Sequence, residues 1–206
     1  MPYLINLLEK RRKIPIVENA IAPVKVINRV EVGARSSNSY SRNDLMNCAR
    51  GNLFGNGNAQ LPLPPLLMLD RIVDIQSNDG DFGRGYAIAE FDITPESWFF
   101  PYHFEGDPVM PGSLLGESMW QLAGFHLAWS GYQGKGRVLD GGRIRFIEPI
   151  YPNDLTLKID VQIKKVITKP CPMNIANAVV SVDGKSMCHC DSLKIALIGV
   201  YPRCNV

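Results

Sequence analysis

Residues 98–121 hold a histidine and a glutamate in a setting that favours proton transfer. His103 lies between Tyr102 and Phe104, in a segment rich in aromatic residues, glycine and proline. An imidazole, with an ordinary pKa of about 6.5, is suited to act as a base near neutral pH. Glu117 follows in an otherwise apolar segment, where burying an unpaired carboxylate is costly. We therefore expect Glu117 to be paired, protonated or facing a cavity.

The apolar surroundings of Glu117 predict a raised carboxyl pKa and a retained proton, as a general acid requires. Gly112 and Ser113 open the same predicted helix, so their N–H groups can hold a carbonyl oxygen that becomes an enolate. A simpler interpretation, in which Pro111 and Gly112 only make a turn, stays open. Without a serine or cysteine in a triad-like setting, these groups favour proton abstraction alpha to a thioester with loss of a beta-hydroxyl.

The segment that carries Glu117 has the composition of a buried helix. Ser113 is a suitable N-cap, and the pattern predicts a helix over residues 113–130. Apolar side chains lie on nearly all of its sides, which is typical of a helix inside a core. They are Leu114, Leu115, Met119, Trp120, Leu122, Phe125, Leu127 and Trp129. We interpret Trp120 and Phe125 as core residues rather than substrate contacts.

The remaining segments from Tyr40 onwards favour strands. Apolar residues alternate without a break from Leu155 to Ile163, and Asp183-Gly184 is a strong hairpin signal. The predicted strands are residues 71–76, 85–93, 143–147, 155–163, 178–182 and 185–198, and Ser41 is predicted to cap a short helix over 43–49. One buried helix and many strands predict an α+β fold, in which an antiparallel sheet wraps around a long central helix.

Several motifs, in order along the chain, resemble the bacterial 3-hydroxydecanoyl-acyl-carrier-protein dehydratase/isomerase family, which belongs to the hotdog-fold beta-hydroxyacyl dehydratases. The motifs are HFEGDPVMPG at 103–112, MWQL at 119–122, LFG at 53–55, LMLDR at 67–71, WFF at 98–100, GKGR at 134–137 and DSLK at 191–194. The resemblance runs from about Tyr40 to Ile198. It implies a hotdog fold and usually a homodimer, with two active sites to which the two subunits contribute the histidine and the acid separately.

The resemblance also implies roles for individual residues. His103 matches the catalytic base of the family, and the N–H of Gly112 would polarise the thioester carbonyl. The carbonyl of Val109 would orient the imidazole. The substrate would be a 3-hydroxyacyl chain on the phosphopantetheine of acyl carrier protein, and the reaction needs no metal and no redox cofactor.

The sequence departs from the isomerising members at three places. Glu117 stands where they carry Asp, Ser113 stands where they often carry Cys, and residues 197–198 lack a common Phe. These departures predict dehydration to the trans-2-enoyl product in fatty-acid biosynthesis and leave isomerisation to the cis-3 product open. Gln121, one turn beyond Glu117, either holds its carboxyl or makes an ordinary helix hydrogen bond.

Two alternatives and one partner surface follow from the same residues. A hotdog acyl-thioesterase would release free acid, whereas a non-catalytic acyl-binding module would have no use for His103 opposite an acid.

Acyl carrier protein is acidic, so basic residues are expected at its docking surface. The candidates are Arg137, Arg143, Arg145, Lys164 and Lys165. Cys188 and Cys190 share one strand face and His189 lies on the other, so this group does not favour zinc.

Charge divides the chain into two parts. Residues 1–42 carry eight basic and three acidic residues (+5), and the remainder carries 14 basic and 17 acidic residues (−3). We predict a basic N-terminal arm or linker at 1–38 and a hotdog dehydratase domain at 39–206.

The acidic body does not favour nucleic-acid binding, and no apolar run approaches the roughly 20 residues of a membrane span. An odd number of cysteines and no secretory pattern at Met1–Leu8 predict reduced thiols in the cytoplasm.

Overall fold

The computed structural model describes residues 37–199. Except for its last two residues, the predicted arm at 1–38 lies outside the described residues, as do residues 200–206. The elements in chain order are α1 (Arg42–Ala49), β1 (Arg71–Gln76), β2 (Tyr86–Asp92), a 3₁₀ turn (Phe100–Tyr102), α2 (Gly112–Trp129), β3 (Lys135–Asp140), β4 (Arg143–Phe146), β5 (Thr156–Ile167), β6 (Met173–Val182) and β7 (Lys185–Ile198).

The strands form one antiparallel sheet that packs against α2. Six of its seven strands run in the order β1-β2-β5-β6-β7-β3, and the seventh, β4, pairs with β7. Alternate residues of β5 face the helix and are fully buried: Leu157, Ile159, Val161 and Ile163. Helix α2 contacts β2, β3, β5, β6 and β7. The predicted hotdog arrangement, a sheet around a central helix, is confirmed.

Helix α2 begins one residue earlier than the sequence predicts. Pro111 is its N-cap, with φ −57° and ψ 124°, and Ser113 is the second helical residue rather than the cap. Proline is tolerated at the start of a helix because its missing N–H would have had no acceptor within the helix. Fourteen of its residues are buried, from Leu114 to Trp129, which explains why its apolar side chains lie on all sides.

Other local predictions differ in accuracy. Ser41 and Asp44 form the predicted capping box of α1, and the hairpin residues Asp183 and Gly184 both have positive φ, at 50° and 79°. Leu155 precedes β5 and is 70% exposed, so the predicted alternation starts two residues too early. Strand β3 was not predicted, because its residues show no apolar alternation and its place depends on pairing with β7.

Candidate active site

His103 lies at the end of the 3₁₀ turn, and one hydrogen bond fixes the state of its ring. Nδ1 is 2.9 Å from the carbonyl oxygen of Val109, and the N–H of Val109 donates to the carbonyl of His103 at 2.8 Å. A carbonyl oxygen can only accept, so Nδ1 carries the proton and donates it to this bond. The neutral ring therefore leaves the lone pair of Nε2 free to take a proton from a substrate.

The loop after His103 holds the ring from one side. The Phe104 ring stacks on the imidazole, with 3.9 Å between the ring centroids. Phe104 and Asp107 exchange two backbone hydrogen bonds of 2.9 and 3.1 Å, and Gly106 supplies the positive φ of 77° that this tight turn needs. The imidazole is half-buried and is held by backbone contacts within a few residues of chain.

His103 opens into a cavity of about 570 Å³ at the N-terminus of α2, which we name the His103 cavity. Gly112 and Ser113 line it as the first two residues of the helix, where backbone N–H groups have no acceptor within the helix. A Cβ placed on Gly112 would lie 2.9 Å from the ring of Phe146, which lines the same cavity. Glycine at this position therefore lets the Phe146 ring approach the helix backbone.

Glu117 is half-buried, and Gln121 holds its carboxyl group. The side-chain N–H of Gln121 donates to Glu117 Oε1 at 2.9 Å and also to the carbonyl of Leu66 at 2.8 Å. Gln121 Oε1 accepts from the N–H of Met68 at 2.9 Å. These bonds tie the carboxyl to the segment that leads into β1, so the contact that the sequence left as one of two alternatives is present.

Glu117 faces a different cavity, of about 150 Å³, which we name the Glu117 cavity. From α2 it is lined by Glu117, Trp120, Gln121, Gly124 and Phe125. The sequence prediction that Phe125 belongs to the core is confirmed, and Trp120 packs against that core, but both residues also line this space. Periodicity shows that a helix residue is buried, but it does not show whether it meets another side chain or a cavity.

The predicted site residues thus fall into two groups within one chain. His103, Gly112 and Ser113 line the His103 cavity, with Val109 bonded to the imidazole. Glu117 and Gln121 line the Glu117 cavity, and His103 does not. Within one chain, neither of these two cavities is lined by both the histidine and the glutamate.

Cys48 also lines the Glu117 cavity, and sequence reasoning missed it. Burial raises the pKa of its thiol to about 12, so the sulfur is protonated near neutral pH and is a poor nucleophile. Ser118, the buried residue that follows Glu117 on α2, donates its hydroxyl to the Leu115 carbonyl at 2.8 Å. These contacts give neither side chain the activating base that covalent catalysis needs.

Residues 37–199 contain neither a clustered set of metal ligands nor a membrane-spanning helix. Within that range, no group of three or more potential ligand side chains lies close enough to hold a metal ion. Cys188 and Cys190 are buried whereas His189 is exposed, as their alternation along β7 predicts. No helix among those residues is long and apolar enough to cross a membrane.

Comparison with known proteins gives one family and a common fold. The family described as "FabA-like domain" matches residues 61–191, which include all the candidate site residues. The dehydratase heterocomplex ApeI:P from Xenorhabdus doucetiae is similar with a TM-score of 0.50 and 17% identity, over 67% of this chain and 87% of that chain. At this identity the similarity shows the fold alone.

Two further solved structures are similar to a lesser degree. A sigma28-regulated virulence protein from Campylobacter jejuni has a TM-score of 0.48 and 15% identity, over 68% of this chain and 92% of its own. A hypothetical thioesterase with coenzyme A from Streptococcus pneumoniae has a TM-score of 0.45 and 13% identity, over 62% and 84%.

Proposed function

Because the chain belongs to the FabA-like domain family, we propose that it is a 3-hydroxyacyl-[acyl-carrier-protein] dehydratase. It would remove water from the 3-hydroxyacyl chain and release the trans-2-enoyl thioester, as a step of fatty-acid biosynthesis. The observation that carries this proposal is the orientation of His103, whose protonated Nδ1 is held by Val109 beside the N-terminus of a buried helix.

The first half of the reaction uses the His103 cavity. The thioester carbonyl would lie at the N–H groups of Gly112 and Ser113, where the helix dipole stabilises developing negative charge. His103 Nε2 takes the proton from C2, and the electrons of the broken C–H bond move into the enolate. The positions of the base and the N–H donors on one cavity support this step.

The second half requires an acid at C3. The protonated carboxyl of Glu117 gives its proton to the 3-hydroxyl, the C3–O bond breaks, and water leaves as the C2–C3 double bond forms. Gln121 holds the acceptor oxygen Oε1, which leaves the other carboxyl oxygen to carry the proton. Because Glu117 and His103 line different cavities, we propose that the acid comes from a second copy in a homodimer with shared active sites.

The substrate carrier in this proposal is acyl carrier protein, with the acyl chain on its phosphopantetheine. Arg137, Arg143 and Arg145 lie exposed on β3 and β4 and remain candidates for docking an acidic partner. The chemistry needs no metal or redox cofactor, because protons are the only species transferred to or from the enzyme. A cytoplasmic location fits this role and remains a prediction.

Product analysis tests the proposed reaction. Purified protein is incubated with 3-hydroxydecanoyl-acyl carrier protein, and the products are identified by mass spectrometry after derivatisation. We expect the trans-2-enoyl product from the wild type and a loss of about 10²-fold or more in rate for His103→Ala. A substantial cis-3 fraction would add the isomerase activity that Glu117 leaves open.

Other products would contradict the proposal. Free 3-hydroxy acid from the wild type, and its absence in Glu117→Gln, would indicate a thioesterase. Tight binding of the acyl carrier protein with equal inactivity of the wild type and His103→Ala would indicate a non-catalytic acyl-binding module.

A further inference from the structure

We propose that Gly136 and the ring pair Phe54–Phe125 set the maximum length of acyl chain that the Glu117 cavity accepts. Gly136 would then be a specificity-determining residue. This inference rests on the proposed function, because it takes the acyl tail of the thioester as the occupant of the cavity.

The cavity has a direction that suits a tail attached at Glu117. The α2 residues that line it recur every three or four positions from Glu117 to Phe125, so they form one face of the helix. That face rises roughly 12 Å along the helix axis. Glu117 and Gln121 make one end polar, whereas Phe125 makes the other end apolar, so an acyl tail would run from the acid towards Phe125.

Three packed aromatic rings close the apolar end. Phe125 makes edge-to-face contacts with Phe54 and Tyr40, with centroid distances of 5.1 and 5.0 Å. Phe125 is 2% exposed and Phe54 is 5% exposed, so both rings are packed within the core. Close-packed rings of this kind form a fixed end wall, because opening it would break contacts in the core.

Gly136 lies on the opposite wall, near the closed end. Strand β3 follows α2 after a short connection and runs back along it. A Cβ placed on Gly141, just after β3, would lie 3.5 Å from the Trp120 ring, which places that end of the strand near Glu117. Gly136, at the beginning of β3, therefore lies farther along α2, on the side of Phe125.

Gly136 also has space for a side chain that would enter the cavity. Gly136 and Val138 both line the cavity, and residues two apart share one strand face, so a Cβ on Gly136 would point inwards. That Cβ would have no described heavy atom within 4 Å, and the φ of Gly136 is not left-handed. By contrast, a Cβ on Gly124 would lie 2.9 Å from Ile195 Cδ1. A larger side chain at 136 therefore extends into open space on the face that it shares with Val138, which is 44% exposed, without moving the backbone.

The test is an acyl-length profile for Gly136→Ala and Gly136→Val. Substrates are 3-hydroxyacyl N-acetylcysteamine thioesters from butanoyl to hexadecanoyl, so that docking of a carrier protein plays no part. We expect kcat/KM for the longest chain that the wild type accepts to fall about tenfold or more in Gly136→Val. Gly136→Ala should show a smaller loss, and the butanoyl substrate should react as in the wild type.

Lys135→Val is the matched control, because it puts the same side chain on the preceding residue of β3, which is exposed. Its length profile should equal that of the wild type. Phe54→Leu replaces a ring of the end wall with a smaller side chain. This variant should accept longer acyl chains than the wild type. Circular dichroism and thermal denaturation establish that each variant is folded.

The outcomes separate this inference from the proposed function. A wild type that dehydrates, together with an unchanged profile in folded Gly136→Val, would overturn the inference alone. A wild type that dehydrates no substrate would overturn the proposed function. The inference is then decided by calorimetric binding of saturated acyl-pantetheine amides, whose longest bound chain must shorten in Gly136→Val; equal limits would overturn it.

Discussion

The carbonyl of Val109 decides which nitrogen of His103 can act as a base. A backbone carbonyl offers no proton, so the bond to Nδ1 is made by the neutral ring through its N–H and leaves Nε2 as the acceptor. The same bond would keep the ring plane fixed during the proposed proton transfer. A side chain in place of this carbonyl could titrate or rotate, whereas the backbone holds one tautomer at every pH where the ring is neutral.

Burial makes the thiol of Cys48 harder to ionise. Its thiol lines the cavity of Glu117, and burial raises its pKa to about 12. Because the unfolded chain has a thiol pKa of about 8.5 to 9, the folded protein binds more protons than the unfolded chain between pH 9 and 12. Stability that depends on this thiol is therefore present below pH 9 and is lost as the pH rises towards 12.

We predict that the free energy of unfolding falls more steeply above pH 9 in the wild type than in Cys48→Ala. The extra slope should approach 1.4 kcal/mol per pH unit, the value for one proton. Urea unfolding at a series of pH values measures it, and comparing the two proteins cancels the titration of Tyr and Lys residues. Parallel slopes would mean that the Cys48 thiol ionises equally easily in the folded protein and would contradict this account.

At the scale of single residues, the sequence identified the residues with reactive side chains more accurately than it predicted what surrounds them in the fold. His103 and Glu117 stand out because titratable groups are rare in apolar segments, and Gln121 follows Glu117 at helical spacing. Periodicity correctly placed Trp120 against the core, but it cannot show that the ring also lines a cavity. The bond from Gln121 to Leu66 joins residues distant in sequence, so no local pattern could have predicted it.

At the scale of elements, the N-terminus of α2 is shaped by what packs against it. Pro111 is the N-cap of the helix. Gly112, the first helical residue, has no side chain, so its backbone lies close to the Phe146 ring of β4. The glycine is required for this approach rather than for flexibility, since its φ is not left-handed. The ring covers one side of the site where a thioester carbonyl would receive hydrogen bonds.

We predict that Gly112→Ala lowers kcat/KM about tenfold or more by pushing Phe146 away from the helix, although the N–H of residue 112 remains. The melting temperature should not fall, because alanine is the better helix former and the ring is 56% exposed. A double-mutant cycle with Phe146→Ala checks the cause. The two losses should be less than additive, with a coupling of about 0.5–3 kcal/mol. Additive losses would show that Gly112 acts independently of the ring.

The elements that sequence predicted are those whose own residues determine them. Helix α2 and strand β5 carry continuous apolar patterns, and the β6–β7 turn has the two residues that its positive φ angles require. Strand β3 lacks such a pattern and exists because β7 offers it a partner. Its two cavity-facing residues, Gly136 and Val138, became visible only through that pairing.

At the scale of the whole molecule, one chain places His103 and Glu117 on two separate cavities. His103 opens at the N-terminus of α2, whereas Glu117 faces the space along the helix towards Phe125. In the proposed dehydration, proton abstraction at C2 and proton delivery at C3 concern adjacent carbons, so His103 and Glu117 would both have to reach one substrate. The resemblance to dimeric dehydratases also predicts that two subunits share each site. The sequence could not show that His103 and Glu117 of one chain line different cavities.

A homodimer with shared sites predicts that two inactive variants restore activity when combined. His103→Ala and Glu117→Gln, unfolded together and refolded at equal concentrations, should give about a quarter of the wild-type rate. Half of the dimers are then mixed, and each mixed dimer has one site with both native residues. The rate of 3-hydroxydecanoyl thioester dehydration measures the recovery.

Each variant refolded alone is the control and should stay inactive. A mixture that remains as inactive as its components would mean that His103 and Glu117 act within one chain. The two cavities would then have to merge by a conformational change, because one chain holds the residues on different walls. Complementation distinguishes these cases without any structure of the assembly, since only a site shared between subunits can be rebuilt from two different defective chains.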